Sequence, residues 1–260
     1  MTGASRLFLS HRTRALLSIR YGLRTMTTRF SPRILPVFLF VVLFLTAAGP
    51  LRAETYAVDA FGDSITAGWV VYARDGNGCV GCGGYEPVLQ SLLKSAGREA
   101  VVKNWGKGGE TTSDGASRVD IVIALDKPRY MLLMEGTNDL LFLSTDTVRK
   151  NMARMVDISL ARGVTPILGT ITPDSRGGKP ISQTNALLRE LAAQKKIALA
   201  DLYAAVKDSW SSLTADGLHP NSAGYSKIAQ VWTSAMDEAD KMNAPPTANL
   251  TPILMLLLDE

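Results

Sequence analysis

Tyr56-Ala57-Val58-Asp59-Ala60-Phe61-Gly62-Asp63-Ser64-Ile65-Thr66 is an apolar-rich run that closes on a glycine and delivers a serine. Such a run, ended by Gly and Asp, predicts a buried strand followed by a turn. The pattern recurs along the chain. Val101–Asn104, Tyr130–Glu135, Thr165–Ile171 and Ala198–Leu202 also read as strands. Helical patterns separate them. Pro87–Ala96 closes at Gly97, and Thr145–Ala161 starts behind Ser144 or Thr145 and stops at Gly163. Ile181–Lys196 and Ser222–Met242 carry apolar residues at spacings of three and four, and Ser113–Leu125 reads as a further helix despite Gly115. Strands alternating with helices predict a mostly parallel five-stranded sheet covered on both faces, a three-layer α/β/α sandwich.

In such sheets ligands gather at the carboxyl ends of the strands. The residues with chemistry fall there. Ser64 follows the first strand, Asn104–Thr112 the second, and Gly136-Thr137-Asn138-Asp139 the third. Asp216-Gly217-Leu218-His219-Pro220 lies beyond the fifth, just before the last helix. Histidine is the side chain whose charge changes near neutral pH, so His219 is the candidate base. Asp216, three residues earlier, can fold its carboxylate back to one ring nitrogen within a single turn. The other nitrogen then faces a nucleophile. Ser64, His219 and Asp216 in those roles make an acyl-transfer triad. Taken singly, each has a duller reading: a serine helix cap, a Gly-Thr-Asn-Asp turn, a helix entry at Asp216. Their convergence on one rim favours the catalytic reading. Asp63 is expected to hold its turn through backbone hydrogen bonds rather than to react.

Residues 1–53 read as a leader. Arg29 and Arg33 precede the apolar run Ile34–Ala48, and Ala53 is the expected last residue before cleavage. Met26 is an alternative start, and a transit peptide is an alternative reading of the residues before it. The run is short for a membrane span and contains Pro36, so no stable membrane anchor is expected after cleavage. Eight of the 28 basic residues and none of the 24 acidic ones lie in residues 1–53. The remainder therefore carries a net charge of −4. The basic balance of the whole chain belongs to the leader and gives no support for a nucleic-acid partner. Residues 54–243 suit one domain, and 244–260 form a tail with a short apolar run. The expected location is periplasmic or secreted. Oligomeric state is not legible.

Cys79 and Cys82 are the only cysteines. A zinc site wants four ligands, and one histidine already committed elsewhere cannot complete it. In an exported chain a local disulfide is the expected outcome. Lys107 among glycines does not match a phosphate loop, which needs Gly-Lys-Ser/Thr opening a helix. No cofactor and no metal are called for. Trp69, Tyr72, Trp105 and Phe142 lie near the motifs and are candidates either for an acyl or aryl pocket or for the core.

Four blocks together resemble the SGNH hydrolases, also called the GDSL esterase/lipase family. They are Phe61–Thr66, with Ile65 where the family name has leucine, Asn104–Thr111, Gly136–Asp139 and Asp216–Pro220. The resemblance implies a flavodoxin-like SGNH hydrolase fold. It also implies an oxyanion hole made by the backbone N–H groups of Ser64 and Gly109 and the side-chain amide of Asn138. The implied activity is hydrolysis of carboxylic esters: small acyl esters, aryl esters or lysophospholipids. A carbohydrate O-acetylesterase or acyltransferase is the enzymatic alternative, and a non-catalytic binding protein on the same fold is the alternative of another class.

Overall fold

In the computed structural model, residues 55–69 and 78–244 are described. The leader, Tyr72 and the tail beyond Ala244 lie outside them. In chain order the elements are β1 (Tyr56–Gly62), α1 (Ser64–Ala67), β2 (Cys79–Val80), α2 (Glu86–Ser95), β3 (Ala100–Gly106), α3 (Thr112–Asp126) and β4 (Tyr130–Met134). Then come α4 (Thr145–Ala161), β5 (Thr165–Gly169), α5 (Ile181–Lys195), β6 (Leu199–Ala200), α6 (Leu202–Val206), α7 (Trp210–Leu213) and α8 (Ser222–Asn243).

The sheet runs β2-β3-β1-β4-β5-β6. The five expected strands all form, and all pair in parallel. The expected count of five is corrected to six, because Cys79–Val80 adds a two-residue strand antiparallel to β3. The last strand is also shorter than expected, since Asp201 leaves the ladder to cap α6 by accepting from Ala204 N–H. Helix starts follow the side chains that cap them. Ser144 accepts from Thr147 N–H ahead of α4, and Thr111 and Asp114 form a reciprocal capping box at α3.

Side chains alternate across the sheet with period two. Tyr130, Leu132 and Met134 of β4 join one core with Val58, Ala60, Leu89 and Trp232, under α2 and α8. Met131 and Leu133 join the other with Phe61, Val119, Met152 and Leu188, under α3, α4 and α5. Both faces are covered, which is why β4 is buried at every position.

The flank of β3 is closed in two ways. Gly78 N–H donates to Asn104 O at 2.7 Å beside the β2 pairing. Further down, the carboxamide of Gln90 on α2 takes a neighbouring strand's place. Its Nε2 donates to Ala100 O, and its Oε1 accepts from Val102 N–H at 2.7 Å.

β1 occupies the point where connections reverse, with the chain leaving β1 toward β3 and leaving β4 toward β5. The loops after β1 and β4 therefore diverge and open a crevice at the carboxyl rim. Gly62, Gly106 and Met134 lie in register there. Gly106 is required by close approach, since a Cβ on it would run into the backbone of Thr66 and Ala67. Asn104 fixes that approach: its amide donates to Thr66 O at 2.9 Å, and its carbonyl accepts from Gly106 N–H at 2.8 Å.

Candidate active site

Ser64 opens α1 directly above β1. The serine does not cap this helix. Asp63 does, accepting from Ile65 N–H at 2.9 Å, as expected of a turn-holding residue. Relieved of capping, the Ser64 hydroxyl lies 3.0 Å from Nε2 of His219. The His219 side chain is 10% exposed, so water has little competing access to that hydrogen bond.

His219 is held by its own loop. Its Nδ1 lies 2.7 Å from Asp216 Oδ2. Asp216 Oδ1 accepts from the backbone N–H of His219 at 2.7 Å and of Leu218 at 3.0 Å. Partial burial pushes the Asp216 carboxyl up, but the ring and these two N–H donors outweigh it and hold it at about 2. An ionised carboxylate accepts only, so Nδ1 carries the proton toward it, and Nε2 is left facing the Ser64 hydroxyl. The loop is clamped at both ends. Ala215 N–H and the Thr214 hydroxyl donate to His219 O, and Asn221 caps α8. Gly217 O accepts from Ser175 N–H at 2.8 Å and from the Trp210 indole at 3.0 Å.

Gly109 sits in the loop after β3 with φ +76, a conformation that favours glycine. Asn138 begins the turn after β4, and its Nδ2 donates to Glu110 O at 2.8 Å. An amide carries two N–H groups, so this bond orients the side chain and leaves a second donor. Both loops are braced from beneath. Asp139 accepts from Thr112 N–H, at 2.9 Å to one oxygen and 3.1 Å to the other. The Arg118 guanidinium grips the fully buried Glu110 carboxylate, donates to Trp105 O at 2.7 Å, and lies 3.9 Å over the Phe61 ring. Burial, with Glu110 nearby, pushes the Glu135 carboxyl well up. Burial likewise lifts Asp63 to about 7, against the opposing hydrogen bond from Ile65.

A cavity of about 370 Å³ is lined by Ser64, Trp69, Gly108, Gly109, Asn138, Leu141, Arg176, Lys179, Leu218 and His219. Ser64, Gly109, Asn138 and His219 are thus brought together, with Asp216 directly behind the histidine. Of the candidate aromatics only Trp69 among the described residues lines the cavity. Trp105 points its indole N–H at Asp126 instead, at 2.8 Å, and Phe142 is 84% exposed. Cys79 and Cys82 are joined by a disulfide on the β2 turn. Among the described residues, no group of three or more His, Cys, Asp or Glu side chains could hold a metal ion.

Arg176 and Lys179 were not expected from the sequence. They lie on residues 170–180, the loop after β5. The strand-end rule that selected the other loops applies equally to this one, and Thr172–Pro180 carries the turn composition of such a loop.

A mostly parallel sheet with serine, glycine, asparagine and histidine on loops at one carboxyl rim is the arrangement of the SGNH hydrolase fold. Sequence comparison gives the family: the chain belongs to the GDSL-like lipase/acylhydrolase family, whose model matches residues 60–227. Those limits contain Ser64 and His219 and everything between. The chain is 34% identical over 151 residues to the uncharacterized lipoprotein YqeF of Bacillus subtilis, covering 54% of this chain and 58% of that protein. This chain thus spans little more than half the length of that relative. It is 28% identical over 153 residues to Esterase TesA of Pseudomonas aeruginosa, covering 57% of this chain and 76% of that one. Among solved structures, a lipase/acylhydrolase from Enterococcus faecalis superimposes with TM-score 0.59 at 25% identity, covering 70% of this chain and 96% of its own.

Proposed function

We propose that the chain hydrolyses carboxylic esters through an acyl-enzyme on Ser64. The observation that carries this reading is the continuous pair of contacts from Ser64 Oγ to His219 Nε2 at 3.0 Å and from His219 Nδ1 to Asp216 at 2.7 Å. Ser64 Oγ attacks the ester carbonyl while Nε2 takes its proton, and Asp216 stabilises the imidazolium that forms. The carbonyl oxygen becomes negative. The N–H groups of Ser64 and Gly109 and the free N–H of Asn138 receive it, and a single donor of this kind contributes about 2.7–4 kcal/mol in the transition state. Collapse expels the alcohol, which takes the proton from Nε2. Water then attacks the acyl-enzyme with Nε2 as base, releasing the acid and restoring Ser64.

The substrates are small acyl esters, aryl esters or lysophospholipids. The enzyme is periplasmic or secreted, with residues 1–53 removed after Ala53 and 54–243 forming the catalytic domain. The exported location is supported by the apolar run behind Arg33 and by the Cys79–Cys82 pairing. The test is labelling with a fluorophosphonate. Wild type should be labelled at Ser64, and Ser64→Ala should lose both labelling and turnover while keeping its melting temperature. Labelling at another serine, or activity retained in the variant, overturns the assignment.

A further inference from the structure

The loop from β5 to α5 brings two cations to the cavity that Ser64 and His219 line. The Lys179 side chain is only 3% exposed, with its ammonium 3.0 Å from Asp174 Oδ2. Arg176 binds the same carboxylate through Nε at 2.9 Å and one Nη at 3.0 Å. Its other Nη has no partner among the described residues, and its side chain is 49% exposed. One carboxylate thus serves two positive charges. Asp216, whose carboxylate also acts on the Arg176 charge, is turned to the His219 ring, and Glu110 is paired with Arg118. An Arg176 Nη without a partner at a cavity wall is a charged donor open to an acceptor on whatever enters the cavity. Its distance from the reacting serine is fixed, because Ser175 N–H ties this loop to Gly217 O in the Asp216–His219 loop at 2.8 Å.

We propose that Arg176 and Lys179 bind an oxyanion group carried by the substrate, phosphate or carboxylate, beside its ester bond. This rests on the reading of Ser64 as nucleophile and adds a charge requirement to it. Arginine supplies the directional N–H donors and Lys179 a point charge behind it.

Two matched pairs of soluble substrates test this on the full chain. p-Nitrophenyl butyrate against p-nitrophenyl hemisuccinate puts the charge on the acyl side. A short-chain monoacylglycerol against the corresponding lysophosphatidic acid puts it on the alcohol side. Wild type should prefer the anionic member of at least one pair in kcat/KM, and that pair identifies the side on which the charge sits. Arg176→Gln should lower that preference by about tenfold, the loss of one charged hydrogen bond. Salt at about 1 M, where the Debye length is about 3 Å, should lower it too. Lys227→Gln removes an exposed charge on α8 outside the cavity and should leave the preference intact. Lys179→Gln should act like Arg176→Gln. If it fails to fold, Arg176→Gln decides alone. No preference in either pair, a preference untouched by Arg176→Gln, or an equal loss in Lys227→Gln overturns the proposal. Ser64→Ala on the neutral esters reports separately on the nucleophile, so failure of one reading is distinguishable from failure of the other.

Discussion

Gly109 and Asn138 are held by contacts that reach across the fold, whereas the Asp216–His219 loop is closed almost within Thr214–Pro220. Under the first pair, Arg118 of α3 joins the buried Glu110 to the end of β3, and Asp139 joins the turn after β4 to α3. Under the second, a three-residue turn carries its own carboxylate, and that carboxylate is 42% exposed. Oxyanion donors must not reorganise as charge develops, so they benefit from a rigid, dry support. A base that takes and returns a proton needs only its tautomer and orientation fixed, and local hydrogen bonds do that.

The contrast predicts that mutations in the two regions fail differently. Asp216→Asn should cost on the order of 10⁴-fold in kcat, through loss of the orienting carboxylate, with the fold intact. A drop in melting temperature as large as the loss of activity would erase the distinction. Arg118→Met should do the reverse. It strands a Glu110 side chain with no exposure, and breaking such a pair costs about 3–5 kcal/mol of stability. Chemical denaturation measures it, and a cost below about 1 kcal/mol would mean that the pair behaves like a surface one.

Asn138→Ala lies between these two. If its free N–H meets the oxyanion, kcat and kcat/KM should fall together by about 10²–10³-fold with KM nearly unchanged. If its bond to Glu110 O is its whole role, the variant loses melting temperature and keeps its activity per folded molecule. Kinetics and melting on one preparation separate the two.

A smaller effect concerns acid. The Asp216 carboxyl lies below its ordinary 3.8 in the fold, at about 2. A group depressed in this way contributes stability above its unfolded pKa and loses it as pH falls through the folded one. Wild type should therefore lose stability relative to Asp216→Asn between about pH 4 and pH 2. Melting curves over that interval check the sign, and the half-exposed position keeps the difference small. Smallest is reduction of Cys79–Cys82. The ring it closes is short, so the cost should fall below the ~3 kcal/mol expected for a fifteen-residue loop.

The order of layers was legible because strands and helices in this chain obey their two periods with few exceptions. Ser144 and Gly163 delimit α4 at the residues expected. The four blocks were legible because their chemistry sits at strand ends. What escaped has a common cause. Cys79–Val80 pairs through backbone alone, and two residues show no alternation. Arg118 reads in sequence as one more solvated helix cation, yet its partner Glu110 is eight residues away and wholly buried. Arg176 and Lys179 carry no motif, and their meaning comes from a cavity that only packing creates. Trp105 shows the converse, an aromatic beside a motif whose side chain belongs to Asp126.

The Gln90 carboxamide on the flank of β3 has a bearing on how copies of this chain behave toward one another. An open strand edge offers a row of free N–H and C=O groups to any passing chain, and aggregation begins at such templates. Here β2 takes the rows at Lys103 and Asn104, Gln90 takes those at Ala100 and Val102, and the opposite flank ends in a strand of only two residues. Neither border of the sheet presents a long ladder to a stranger. The two-residue strand Cys79–Val80 and one glutamine guard one side of it.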